Sequence, residues 1–168
     1  MNKLKLLVIG HGRHGKDTVC EMLRDEYNYN FISSSQFCAD HFIYNELKDK
    51  HGYSTAEECY ADRHNHRKLW YDMISDYNLE DPGLLGSEIF KEYDIYCGLR
   101  NIREWRKMKQ DGTYDVCIWV DRSEHLPPED ESSMSLTKEC ADIVLDNNGS
   151  LDDLRSKLKE LIDTIKPS

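Results

Sequence analysis

Hydrophobic residues fall along this chain in short continuous runs separated by amphipathic stretches. Residues 6–9, Leu-Leu-Val-Ile, form an apolar run that ends in glycine, the pattern of a strand buried on both faces of a parallel sheet. Residues 16–26 then carry Val19, Met22 and Leu23 at helical spacing, and residues 29–33 resume an extended pattern, which predicts a strand-helix-strand opening. A second helix is predicted over 36–48, with Phe37, Tyr44 and Leu47 apolar and Ser35 as its cap. Residues 55–77 mix charge, imidazole and aromatics on what reads as one long helix. Pro82 and Gly83 break it, and a short helix over 84–92 leads into a buried strand over 94–100, with Arg100 at its end. A helix over 102–109 and the Asp111-Gly112 turn precede residues 116–120, Val-Cys-Ile-Trp-Val, the clearest central strand. Residues 123–135 are acidic, contain proline and lack apolar periodicity, so they read as a loop or lid outside the core. Residues 143–145 supply a fifth strand, and Leu151, Leu154, Leu158, Leu161, Ile162 and Ile165 mark the apolar face of a last helix. Five strands alternating with helices predict an α/β fold, an open and mostly parallel sheet covered on both faces. No internal repeat interrupts that reading.

Length and charge narrow it. With 168 residues, 39% of them hydrophobic, the chain is the size of one domain (1–168), organised with a substrate-binding helical insertion at about 36–92 and a short lid at about 122–138. The 22 basic and 32 acidic residues leave a net charge of −10, which excludes a nonspecific grip on nucleic acid across the whole surface but not a local basic cleft. Six scattered cysteines without a CxxC pair are expected as buried free thiols rather than zinc ligands. The N-terminal apolar run is too short for a signal core or a membrane span, so a cytoplasmic protein with no membrane partner is expected.

The chemistry concentrates where the first strand meets the first helix. Gly10, His11, Gly12, Arg13, His14, Gly15 and Lys16 match the spacing GxxxxGK between a predicted strand and a predicted helix. Glycines there let backbone N–H groups turn inward around phosphate oxygens, the helix N-terminus adds positive potential, and Lys16 neutralises the β and γ phosphates, which implies ATP. Asp17 stands where Ser or Thr usually reaches Mg2+, and Thr18 follows. Asp17 and Thr18 are the metal candidates, with stabilisation of the first helical turn as the other reading of Asp17. Arg13, and after it His14, either sits over the transferring phosphate or faces solvent. Arg100, at the carboxyl edge of the sheet, is expected to face phosphate, and Arg122 to close over ATP. Arg103 and Arg106 extend that surface or form a solvated helix face. Ser33, Ser34 and Ser35 bind substrate or cap a helix. In the cluster 62–67, His64 and His66 are two apart and make a weak metal pair, whereas Arg63 and Arg67 at i,i+4 form a phosphate-reading pair with Trp70 as a nearby aromatic surface or as core.

The stretches 10–18, 98–100, 119–122 and 141–149 together resemble small phage P-loop kinases related to deoxynucleoside monophosphate kinases, especially 5-hydroxymethyluracil DNA kinases. The resemblance extends from about residue 5 to about residue 162. It implies a P-loop kinase fold with strand order 2-3-1-4-5, a substrate region between the second and third strands, a nucleobase contact near Asn147, Asn148 and Gly149, and a setting in the cytosol of a phage-infected bacterium. The leading expectation is transfer of the ATP γ-phosphate to 5-hydroxymethyluracil in modified DNA. The alternative is a free deoxynucleoside monophosphate as acceptor, and the lesser one a noncatalytic nucleotide switch. Usual nucleoside monophosphate kinases carry several lid arginines, whereas Arg122 here is followed by Glu124, Glu129, Asp130 and Glu131, which favours the first reading. An alcohol acceptor benefits from a carboxylate base, for which Asp40 is the candidate and Asp62 the second.

Overall fold

Alternate positions of the first strand, β1 (Leu6–Ile9), face opposite helical layers, because successive side chains of a strand point to opposite faces. Leu7 and Ile9 join one core with Phe37, Leu85, Tyr96 and Trp119. Leu6 and Val8 join the other with Val19, Leu23, Leu154 and Leu158. All four β1 residues are fully buried, as the continuous apolar run requires. The structure is a computed structural model and describes residues 3–131 and 134–166.

The sheet adds β2 (Phe31–Ser33), β3 (Ile95–Cys97), β4 (Val116–Asp121) and β5 (Ile143–Asp146). Their order is β2-β3-β1-β4-β5 and every pairing is parallel, with Leu7 opposite Tyr96 on one side and Cys117 on the other. This is the strand order that the resemblance implied. The helices α1 (Lys16–Tyr27) and α8 (Leu151–Ile165) cover one face. The other face carries α2 (Ser34–Cys38), α3 (Tyr44–His51), α4 (Ala56–Ala61), α5 (Arg67–Tyr77), α6 (Leu84–Glu92) and α7 (Ile102–Asp111), all of which contribute to the core around Phe37 and Trp119.

Several boundaries differ from expectation. The second helix begins at Ser34 because the Ser33 hydroxyl, not that of Ser35, accepts from Gln36 N at 3.1 Å, and a π-helical turn over Ala39–Ile43 joins α2 to α3. The long helix expected over 55–77 is broken. The Asp62 carboxylate accepts from Tyr53 Oη at 2.5 Å, from Asn65 Nδ2 at 2.5 Å and from the His66 ring at 3.2 Å, which pulls the chain through a 3-10 turn at Arg63–Asn65. The bonds from Tyr53 and Asn65 hold the Asp62 carboxyl down at about 2. Strand β3 ends at Cys97, and Gly98 at φ 106° turns the chain away, so Arg100 lies in the loop after the strand. Trp70 is core, with 5% of its surface exposed. The described residues of the segment expected as a lid form no helix before Lys138, but Met134 and Leu136 within it are buried in the core; Ser132 and Ser133 lie outside the described residues. All six cysteines are buried free thiols. Among the described residues, no helix is long and apolar enough to cross a membrane.

Candidate active site

The loop after β1 lies at the carboxyl edge of the central strand, where α/β sheets place ligands. Two glycines make its path possible. Gly10 has φ 145°, and a Cβ there would meet the Val120 carbonyl oxygen at 2.6 Å; Gly15 has φ 101°, and a Cβ there would meet Asn147 Nδ2 at 2.3 Å. Arg13 turns the loop at φ 68° and is exposed. Lys16 folds back over the loop, its Nζ donating to the carbonyls of Gly10 at 2.7 Å and His11 at 2.9 Å. Burial, and then the Arg100 cation, lower the Lys16 pKa. Asp17 is exposed in the first turn of α1, where Cys97 Sγ reaches its Oδ1 at 3.7 Å, and Thr18 is half-buried.

The two loop histidines hold the segment after β4, expected as a lid, rather than reach outward. Arg122 N donates to His14 Nδ1 at 3.0 Å, so the ring proton lies on Nε2, which donates to the Pro127 carbonyl at 3.2 Å; the side chain is 1% exposed. Glu129 N donates to His11 Nδ1 at 3.1 Å, and burial, then the neighbouring His14, push the His11 pKa down. The expectation of His14 over the phosphate is therefore corrected, since both of its nitrogens are engaged by lid backbone.

The lid also places a carboxylate in the loop. Glu129 accepts from the Gly12 N–H through Oε1 and from the Arg100 guanidinium through Oε2. Burial works to raise its pKa, but Arg100, the Gly12 N–H and Lys16 outweigh that and leave the carboxyl below its ordinary value. An anionic oxygen on an inward backbone N–H beside a lysine and an arginine is the arrangement a phosphate oxygen would adopt. A phosphate entering this seat has to displace Glu129. Glu129→Gln is accordingly expected to tighten binding of a nonhydrolysable ATP analogue several-fold in calorimetry, by weakening an anionic competitor. Unchanged affinity would mean that the phosphates bind elsewhere.

Arg100 continues from this seat into a cleft of about 110 Å3, lined among others by Ser34, Ser35, Tyr71, Tyr96 and Glu104. Tyr71, on α5, is 52% exposed at this cleft. Glu104 stands in the first turn of α7, which Asn101 caps through its side chain. The buried Asn78 fixes it: Leu85 N donates to Asn78 Oδ1 at 3.0 Å, so the amide presents Nδ2 to Glu104 Oε1 at 2.9 Å. Burial raises the Glu104 carboxyl to about 7, against the weaker pull of Arg103. Neither Glu104 nor Glu129 was singled out in the sequence. The Asn-x-x-Glu spacing from Asn101 signals a helix start and not a site, and nothing local marks Glu129.

Other expected residues lie apart from this arrangement. Asp40 is exposed in the π-helical turn, where Gln36 Nε2 donates to it at 2.9 Å, and it does not line the cleft. Asp62 is spent on its turn. Arg63 stacks 3.9 Å over the Tyr60 ring and donates to the Tyr60 carbonyl, while Arg67 is exposed on α5, so they are no i,i+4 pair. Arg103 and Arg106 are exposed. Ser33 caps α2, whereas Ser34 and Ser35 do line the cleft. The Arg122 guanidinium donates to the carbonyls of Asn147 at 2.5 Å and Gly149 at 3.4 Å. Asn147 is buried and donates to the His14 carbonyl at 2.9 Å, and Asn148 accepts from Glu124 N at 3.0 Å. Residues 147–149 thus brace the loop after β1 and the start of the segment after β4.

No family model matches the sequence, and no curated protein matches it. The structure is similar to that of a shikimate kinase from Bacteroides thetaiotaomicron, with a TM-score of 0.53 at 9% identity over 98% of this chain and 99% of that one. A gluconokinase from Sinorhizobium meliloti 1021 matches with a TM-score of 0.44 at 13% identity, over 96% of this chain and 94% of that one. The chain has a P-loop kinase fold, with a five-stranded parallel sheet and helices on both faces. The expectation of modified DNA as partner is corrected: the solved structure whose fold the chain shares is that of a kinase named for a small molecule. The positive track that DNA would need is also missing from the expected place, since Arg63 is bound to Tyr60 and separated from Arg67 by the break in the helix.

Proposed function

We propose that this protein is an ATP-dependent phosphotransferase acting on a small, freely diffusing acceptor. The observation that carries the reading is the anion seat formed by the Gly12 N–H and Arg100, which shares Arg100 with the Ser34–Glu104 cleft. Donor phosphate and acceptor then meet at Arg100. The residues fit a triphosphate, because Gly10 and Gly15 leave room where any Cβ would collide and because an anionic oxygen already occupies the Gly12 N–H. They also fit Mg2+: Asp17 offers an exposed carboxylate in the first turn after Lys16, with the Thr18 hydroxyl next to it in sequence, and oxygen ligands suit this ion. When bound, ATP and its metal supply the transferable phosphoryl group and neutralise its charge. The Gly12 N–H orients the phosphate, Lys16 exchanges its carbonyl partners for phosphate oxygens, and Arg100 stabilises charge moving between donor and acceptor.

The acceptor class includes deoxynucleoside monophosphates, and Arg100 is the observation in their favour, as the one cation among the described residues lining the cleft. The test incubates the protein with Mg2+, γ-labelled ATP and a panel of acceptors: shikimate, gluconate, deoxynucleosides and deoxynucleoside monophosphates. Label transferred to a member of the panel is the expected result. Tight ATP binding with neither transfer nor hydrolysis would instead identify a nucleotide switch.

A further inference from the structure

We propose that Glu104 is the general base of the transfer, held in place by Asn78, and that the acceptor it serves is a neutral alcohol. The inference rests on the phosphotransferase reading and goes on to name the substrate class of the same cleft.

Ser34, Ser35 and Ser75 present hydroxyls, Tyr71 an exposed ring, Arg100 a cation and Glu104 a carboxyl. Hydroxyls donate to and accept from other hydroxyls, which suits a polyol or a sugar-like alcohol. A phosphate acceptor is already anionic, needs no base, and would bring its charge into a cleft that contains a carboxylate. With Arg100 as the only cation among the described residues lining the cleft, and Arg100 also facing the donor seat, that charge would be poorly compensated. An alcohol has the opposite need: its proton must leave as its oxygen bonds to phosphorus.

Glu104 is placed for that task and Asp40 is not. Its Oε1 is fixed by Asn78 Nδ2, and Asn78 cannot flip without losing the Leu85 N–H, so the carboxylate is aimed by a buried amide whose own orientation is set by backbone. The groups around it are Arg100 in the loop before α7, Arg103 on α7 itself, Tyr96 on β3, Tyr71 on α5 and Cys38 on α2. Burial pushes both the Tyr96 phenol and the Cys38 thiol far above neutrality, so neither gains or loses a proton in the range where Glu104 does. A carboxyl raised to about 7 is matched to accepting and releasing a proton near neutral pH. In the step, the acceptor oxygen forms its bond to the γ-phosphorus as its proton passes to Glu104. The bond from phosphorus to the β,γ-bridging oxygen breaks, its electron pair remains on the departing nucleoside diphosphate, and Glu104 later returns the proton to water.

Glu104→Gln separates catalysis from structure, because the amide oxygen still accepts from Asn78 while the proton acceptor is lost. Single-turnover transfer from γ-labelled ATP is measured against pH for the intact protein, for Glu104→Gln and for Glu104→Asp, with the deoxynucleosides of the panel as neutral alcohols and with its deoxynucleoside monophosphates. The expected result is transfer to an alcohol at a rate that rises with pH through about 7, since the base acts ionised. Glu104→Gln should lower that rate by about 10²- to 10⁴-fold and remove the break, with ATP-analogue affinity unchanged. Glu104→Asp should recover part of the rate. An unchanged rate and pH profile in Glu104→Gln, or transfer by the intact protein to monophosphates alone, overturns the base assignment and leaves the phosphotransferase reading standing. Transfer to no acceptor at all overturns both.

Discussion

Lys16→Ala is expected to lower turnover at saturating ATP by on the order of 10²-fold or more, because it removes a charge from where negative charge builds up in transfer. The geometry makes this residue hard to replace. Its ammonium is held above the loop by the carbonyls of Gly10 and His11, so it is ordered before any phosphate arrives and little reorganisation is left for the reaction. Burial and Arg100 both work against its charge, and phosphate oxygens are the partners that would relieve both costs. Arginine should not rescue it, since a planar fork cannot point as a compact ammonium does between two backbone carbonyls. Turnover is to be measured alongside a denaturation curve, to show that the variant is folded. Near-normal turnover in a folded variant would remove Lys16 from the mechanism and leave Arg100 as the cation that matters.

What the sequence discloses about this molecule depends on how far apart the partners lie. The residues of β1 and β4 are buried on both faces, so their character is written locally in four- to six-residue runs, and their place at the centre of the sheet follows. The glycine loop is equally local, seven residues from Gly10 to Lys16 in which Gly10 and Gly15 are required by the turn itself. The break at Asp62 is different. Helical spacing runs straight through 55–77, and only the approach of Tyr53 makes the carboxylate bind outside its helix. The acceptor side is less legible still. Glu129 meets Gly12 across 117 positions and Asn78 meets Glu104 across 26, and no pattern within either segment points to its partner. Acidic residues on a helix or lid are usually solvated, so Asp40 and Glu104 read alike in sequence; the fold distinguishes them by burying one beside an amide and leaving the other exposed with Gln36. The histidines of the loop misled for the same reason, because the lid that occupies them is more than a hundred residues away.

Gly15→Ala should disable nucleotide binding and destabilise the fold together, and the two effects can be separated. At φ 101° an alanine is strained, which costs about 1–3 kcal/mol. Its Cβ would also lie 2.3 Å from Asn147 Nδ2, so the amide must leave and the bond to the His14 carbonyl is lost, for about 1–3 kcal/mol more in this buried site. Gly52→Ala is the control: it places a Cβ at φ 71° with nothing within 4 Å, so it reports backbone strain without collision. The urea midpoint of Gly15→Ala is therefore expected well below that of Gly52→Ala, and its affinity for an ATP analogue should fall while that of Gly52→Ala does not. Adding Asn147→Ala to Gly15→Ala removes the obstructing amide. If collision is the larger cost, the double variant is more stable than the sum of the single losses predicts, since the two changes share one contact. Strict additivity would show instead that strain at residue 15 alone sets the penalty, and that the Asn147 amide keeps its bond to the His14 carbonyl in Gly15→Ala.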